Sequence, residues 1–170
     1  MELTVTLTFD AAPDAVAAML ADAEFVRWRA AWSSGEGTVE QADVTRAADG
    51  GFTVSVRRTL PSALIPPQAR AFVGDRLEIR QVEVWGPPVE GVRSGTVAIE
   101  ITGAPVRVTG TVRLAAGADG GSAQTYTGEV RATVPLFGSM VEQAAASAVR
   151  DALHAEESAA RAWLDAPAEA

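Results

Sequence analysis

In a chain of 170 residues, the groups placed to do anchoring or acid–base work inside a fold reduce to four. Phe52, Val54, Val56, Arg58 and Leu60 alternate along one strand face, so Arg58 points the way its apolar neighbours point. On the following strand Leu77 and Ile79 lie with Gln81, Glu83 and Trp85, provided no bulge near Arg80 and Gln81 flips the register. Arg58 and Glu83 then both face inward. They form either a salt bridge at the rim of the sheet or an anchor for a ligand carboxylate or carbonyl, with the guanidinium as a forked donor. Tyr126, the single tyrosine, shares a face with Gln124, Val130 and Val134. Its hydroxyl either meets a core polar group or offers a pocket a hydrogen bond or a general acid. Glu156 falls at the edge of an apolar helical stripe, where a carboxylate must pair with an Arg or point into a pocket, because unpaired burial costs several kcal/mol.

Other chemistries are excluded by what the chain lacks. With no Cys there is no disulfide, thiolate metal site or Cys nucleophile. All 14 basic residues are Arg, so a Schiff-base or P-loop lysine is impossible. His154, the only histidine, is predicted on a polar helix face, which leaves no defensible Ser-His-Asp set and only carboxylates for a metal. Asp49-Gly50-Gly51 and the stretch from Gly117 to Gly121 read as turns, not phosphate loops. No metal, no cofactor and no catalytic residue is assigned. A net charge of −8 disfavours nucleic acid and anionic lipid. The opening Met1-Glu2-Leu3-Thr4-Val5 has no secretory pattern, and no apolar run approaches the roughly 20 residues that span a bilayer. The expectation is a cytoplasmic protein without stable membrane insertion.

The elements that must position these groups follow from periodicity. Leu3, Val5, Leu7 and Phe9 alternate with Glu2, Thr4, Thr6 and Thr8 as a half-buried strand. Asp10 is placed to cap a short helix over Asp14 to Ala21, with Pro13 at its start. A second short helix over Ala23 to Trp32 carries Phe25, Trp28 and Trp32 at helical spacing. Strands follow over Thr38 to Ala47, Phe52 to Leu60, Arg76 to Trp85, Gly91 to Ile101, Val106 to Ala115 and Ser122 to Val134, the first two joined by Asp49-Gly50-Gly51. Phe137-Gly138-Ser139-Met140 opens a long Ala-rich helix ending near Asp165. Its expected apolar face is Val141, Ala144, Ala145, Ala148, Val149, Ala152, Ala155, Ala159 and Trp163. The truncated side chains either pack the helix closely on the sheet or leave volume for a ligand. The reading is one α+β domain over residues 1–166: a curved seven-stranded antiparallel sheet around a long C-terminal helix, with two short helices after the first strand.

This order, with Leu3-Thr4-Val5, Ala12-Pro13-Asp14-Ala15-Val16 and Gly138-Ser139-Met140-Val141-Glu142, resembles the START-like superfamily, also called helix-grip or polyketide cyclase/Bet v 1-like. Leu60-Pro61 and Phe72-Val73-Gly74-Asp75, leading to Val82-Glu83-Val84-Trp85, is similar to a bacterial family known only as a domain of unknown function. The resemblance spans nearly the whole chain and carries no catalytic set across. It implies a hollow between sheet and helix.

The leading expectation is therefore a module that binds or carries a small hydrophobic molecule. Arg58, Glu83, Tyr126 and Glu156 would orient it, with Trp85, Ala145, Ala148 and Ala152 among the lining. Trp28, Trp32 and Trp85 also read as core anchors. Two rivals remain open: a cyclase or dehydratase on a polyketide-like or steroid-like substrate, with Tyr126 and Glu156 as acid–base groups, and a protein-interaction module with a closed, packed cavity. The proline-bearing connection Leu60 to Val73 either gates the cavity mouth or braces it.

Overall fold

The computed structural model describes residues 1–34, 37–61, 63 and 76–166. Strand β1 (Glu2–Phe9) is followed by helices α1 (Pro13–Leu20) and α2 (Ala23–Ser34). Strands β2 (Thr38–Arg46), β3 (Phe52–Pro61), β4 (Arg76–Trp85), β5 (Arg93–Thr102), β6 (Val106–Ala116) and β7 (Ser122–Ala132) come next, and helix α3 (Gly138–Asp165) closes the chain order. All seven strands form one antiparallel sheet in the order β1-β7-β6-β5-β4-β3-β2. β2 to β7 follow one another in order across the sheet, and β1 adds itself beside β7, so the first and last strands pair. This is the α+β architecture expected from the periodicity, and the helix-grip arrangement that the resemblance implies. The connection from Ser62 to Val73 lies, except for Ala63, outside the described residues.

Alternation decides which face is covered. Leu3, Val5, Leu7 and Phe9 are all 5% exposed or less, while the intervening Glu2, Thr4, Thr6 and Thr8 face solvent. Burying each such side chain contributes roughly 1.5–3 kcal/mol. The β3–β4 register runs unbroken from Phe52↔Trp85 to Pro61↔Arg76, so no bulge occurs near Arg80 and Gln81. The irregularity sits instead in β2, between Val39 and Gln41. Gly110 and Gly128 face each other across β6 and β7. A Cβ at Gly110 would lie 2.4 Å from the Thr127 carbonyl oxygen, so only glycine allows this close approach.

The helices start differently from expectation. Ala12, not Asp10, is the N-cap of α1, and its methyl group offers no acceptor to the first-turn amides; Pro13 suits the first turn because its missing N–H would have no helical partner there. Asp22 caps α2: its Oδ1 accepts from the amides of Glu24 at 2.7 Å and Phe25 at 3.3 Å. Trp32 is 51% exposed rather than a core anchor, because the buried face of α2 follows Phe25, Val26, Arg29 and Ala30. Trp163, near the end of α3, packs against Phe25 and Trp28, each ring centroid 5.5 Å away.

The face of α3 is also rotated. Val141, Ala146, Leu153, Glu156, Ala159 and Ala160 are buried, whereas Ala148 is exposed. The helix presses its larger residues onto β1, β7 and β6, and the alanine stripe falls along its flank.

Candidate functional site

Four ionisable side chains meet in the interior where α2, β3, β4 and α3 converge: Arg29, Arg58, Glu83 and Glu156, all 7% exposed or less. Arg29 stands one helical turn beyond Phe25, which carries its guanidinium inward. Its Nη2 donates to Glu83 Oε1 at 3.1 Å and its Nη1 donates to Glu156 Oε2 at 3.2 Å. Burial opposes the charge on Arg29, but Glu156 and Glu83 outweigh it and hold the guanidinium protonated beyond its ordinary value. Glu83 is saturated by strand neighbours two residues either side. Gln81 Nε2 donates to its Oε1 at 2.9 Å, and Trp85 Nε1 donates to its Oε2 at 3.0 Å. Both oxygens of Glu83 are therefore committed.

Arg58 is placed differently. Its Nη1 donates to Ser33 Oγ at 2.8 Å, and its Nε is buried with no partner among the described residues. No ion pair joins it to Glu156 or Glu83. Burial holds its pKa below the ordinary value, with Glu156 pulling it up and Arg29 pushing it down. An unmatched buried N–H costs about 1–3 kcal/mol, so this guanidinium is a donor in want of an acceptor.

Arg58 opens on a cleft of about 960 Å³. One wall is the flank of α3, with Met140, Ala144, Ala145, Ala148, Ala152 and Ala155. The other is the inward face of β3, β4 and β5, with Leu60, Ile79, Ile99 and Ile101. Ser33, Arg58, Gln81 and Glu156 supply its buried polar end. From Met140 to Glu156 the helix advances about 24 Å, which sets the length of the trough.

The structure distributes the residues expected at a site into two groups. Arg58, Glu156, Ala145, Ala148 and Ala152 line the cleft. Glu83, Trp85 and Tyr126 do not. Glu83 pairs with Arg29 where the sequence pointed to Arg58, because Arg29 reaches it from α2. Trp85 is 1% exposed and stacks on Phe52 at 5.9 Å. Tyr126 borders a separate hollow of about 30 Å³ beside Gly110 and Gly128, and its hydroxyl accepts from Gln124 Nε2 at 2.6 Å. Burial pushes that hydroxyl well above its ordinary pKa, Glu83 and Glu156 add to the shift, and Arg29 and the Gln124 bond oppose it. His154 is exposed and faces Glu157 across 3.3 Å. Arg29 and Ser33 escaped the sequence reading; the one signal for Arg29 was its position four residues after Phe25. Among the described residues no three His, Asp or Glu converge as a metal site, and no helix is long and apolar enough to cross a membrane.

Comparison with known proteins places this geometry. A family model described as "Protein of unknown function (DUF2505)" matches residues 4–164. Uncharacterized proteins of Mycobacterium tuberculosis and Mycobacterium bovis are each 26% identical over 117 residues, 68% of this chain and 67% of theirs. Among solved structures, a START superfamily protein of Mycobacterium smegmatis superposes with a TM-score of 0.56 at 12% identity, covering 95% of this chain and 98% of that one. The protein TTHA0849 of Thermus thermophilus gives 0.57 at 16% identity, covering 96% and 99%. Human STARD10 gives 0.58 at 11% identity over 94% of this chain and 62% of its own. At these identities the likeness is one of fold, and the fold is START-like.

Proposed function

The chain belongs to the family described as protein of unknown function DUF2505, and from that footing we propose that it binds a small, mainly apolar molecule in the cleft between α3 and β3–β5. The observation that carries this reading is the cleft itself. About 960 Å³ falls within the range of small-molecule sites, and alanines and isoleucines form most of its long walls. Close packing ordinarily removes such volume from an interior. Here it persists because α3 presents methyl groups, not larger side chains, to the sheet. The buried polar groups sit at one end, while Gln143, Ser147 and Asp151 line the exposed flank of α3, so apolar walls carry a few orienting contacts.

The acid–base alternative is less well supported, since Tyr126 lies off the cleft and is bonded to Gln124. Native mass spectrometry of gently purified protein, followed by organic extraction, tests the binding reading. An apolar mass released on denaturation is the expected result. A bare mass, with no uptake from a panel of fatty alcohols, fatty acids, sterols and aromatic polyketides, would overturn it.

A further inference from the structure

This inference rests on the binding reading and concerns the polar end of the ligand. Two walls of the cleft present complementary vacancies. On β3, Arg58 lines the cleft; its Nη1 donates to Ser33, its unpartnered Nε is enclosed by protein, and among the described residues no acceptor takes its Nη2. On α3, Glu156 is 6% exposed; its Oε2 accepts from Arg29, and among the described residues no donor reaches its Oε1. Glu83 offers no comparable opening, because Arg29, Gln81 and Trp85 already donate to it.

The charge balance decides what fits between them. Arg29 and Arg58 carry two positive charges, and Glu83 and Glu156 carry two negative charges, so the buried set is neutral without a ligand. A carboxylate would satisfy Arg58 but would approach Glu156 as a like charge and leave the low-dielectric set with an excess negative charge. An ammonium would satisfy Glu156 and meet Arg58 in the same way. An ether or ester accepts from Arg58 and gives Glu156 nothing. A hydroxyl does both, with one oxygen to accept and one proton to donate, and it adds no charge.

We propose that the cleft recognises the hydroxyl group of an uncharged aliphatic alcohol, Arg58 donating to its oxygen and Glu156 accepting its proton, with the alkyl chain along the alanine flank of α3.

Calorimetric titration with dodecanol, dodecanoate, dodecylamine and methyl dodecyl ether, at a mildly alkaline pH where the acid is ionised, tests this on the intact chain. Dodecanol is expected to bind at least about tenfold more tightly than each of the others, the scale of one buried hydrogen bond. In Glu156→Gln the penalty on dodecanoate should fall, narrowing the alcohol–acid gap by about tenfold. Arg58→Leu should weaken dodecanol and the ether by a similar factor, leaving the alcohol ahead. Should Glu156→Gln fail to fold, the ranking on the unaltered protein decides alone. Tighter binding of dodecanoate than of dodecanol, or equal binding of all four probes, overturns the alcohol assignment and leaves the cleft reading standing. Uptake of none of them overturns the alcohol assignment, and with a bare mass and no uptake of sterols or aromatic polyketides it overturns the cleft reading too.

Discussion

Arg29 and Glu83 meet at 3.1 Å with side chains only 3% and 0% exposed, and this pair ties α2 to the middle of the sheet. Two charges withdrawn so far from water persist only because each is also matched elsewhere, Arg29 by Glu156 and Glu83 by Gln81 and Trp85. The cluster therefore fixes where α2 and α3 sit over β4, and with them the polar end of the cleft.

Removing the shared cation strands two carboxylates. Arg29→Met is expected to lower stability by about 3–5 kcal/mol, read as a fall in the urea midpoint. A loss below about 1 kcal/mol would show that the cluster does not organise the interior.

Tyr126 is the only tyrosine, so ultraviolet difference absorbance reports it alone. Burial, with Glu83 and Glu156 nearby, raises its folded pKa well above the ordinary 10.0. The stability it contributes is therefore complete below pH 10.0 and is lost as pH rises toward the folded value. Phenolate is expected to form only together with alkaline unfolding. Ionisation near pH 10.0 in the folded protein would contradict this burial.

Glu157 fastens the end of β1 to α3. Its Oε1 accepts from the Thr8 amide at 2.8 Å and from Arg161 Nη2 at 2.9 Å. Burial opposes its charge, yet the Thr8, His154 and Arg161 contacts prevail and hold its carboxyl below the ordinary 4.5. That stability is present above pH 4.5 and is lost as pH falls through the lower folded value. Glu157→Gln should cost about 1 kcal/mol at neutral pH and flatten the acid limb of a stability–pH curve. An unchanged acid limb would remove Glu157 from that role.

Leu136, just before α3, is 98% exposed and sits at φ 66°, the left-handed region that a leucine adopts at a cost. Leu136→Asn gives up no packing and relieves that cost. A gain of about 1 kcal/mol is expected in thermal or urea unfolding. A loss would mean the leucine makes an interaction that outweighs its backbone strain.

Strands were legible because alternation is a direct record of burial. Leu3 to Phe9, Phe52 to Leu60 and Leu77 to Trp85 each show which side faces inward. The bulge in β2 was not read, although Val39 falls out of parity with Ala42 and Val44; the bulge considered near Arg80 and Gln81 does not occur. Arg29 was not legible, because a charged residue on a helix reads as solvent-facing unless its partners are known, and those partners come from β4 and α3. Trp32 misled for the opposite reason: aromatic size argues for burial, but the turn of α2 at that point faces away. The alanines of α3 marked a special flank without saying whether sheet or empty volume lay opposite. Tertiary packing settles that, since β1, β7 and β6 take up Leu153 and Val141 and leave Ala148 beside the trough.

The cleft is tested most directly by filling it. Ala148 is exposed and lines the trough, so Ala148→Trp should block it without disturbing the core. Titration of dodecanol into both proteins should give saturable binding to the unaltered chain and at least about tenfold weaker binding to the variant, with the same urea midpoint for each. Equal affinity in the two proteins would contradict a ligand held between α3 and the sheet.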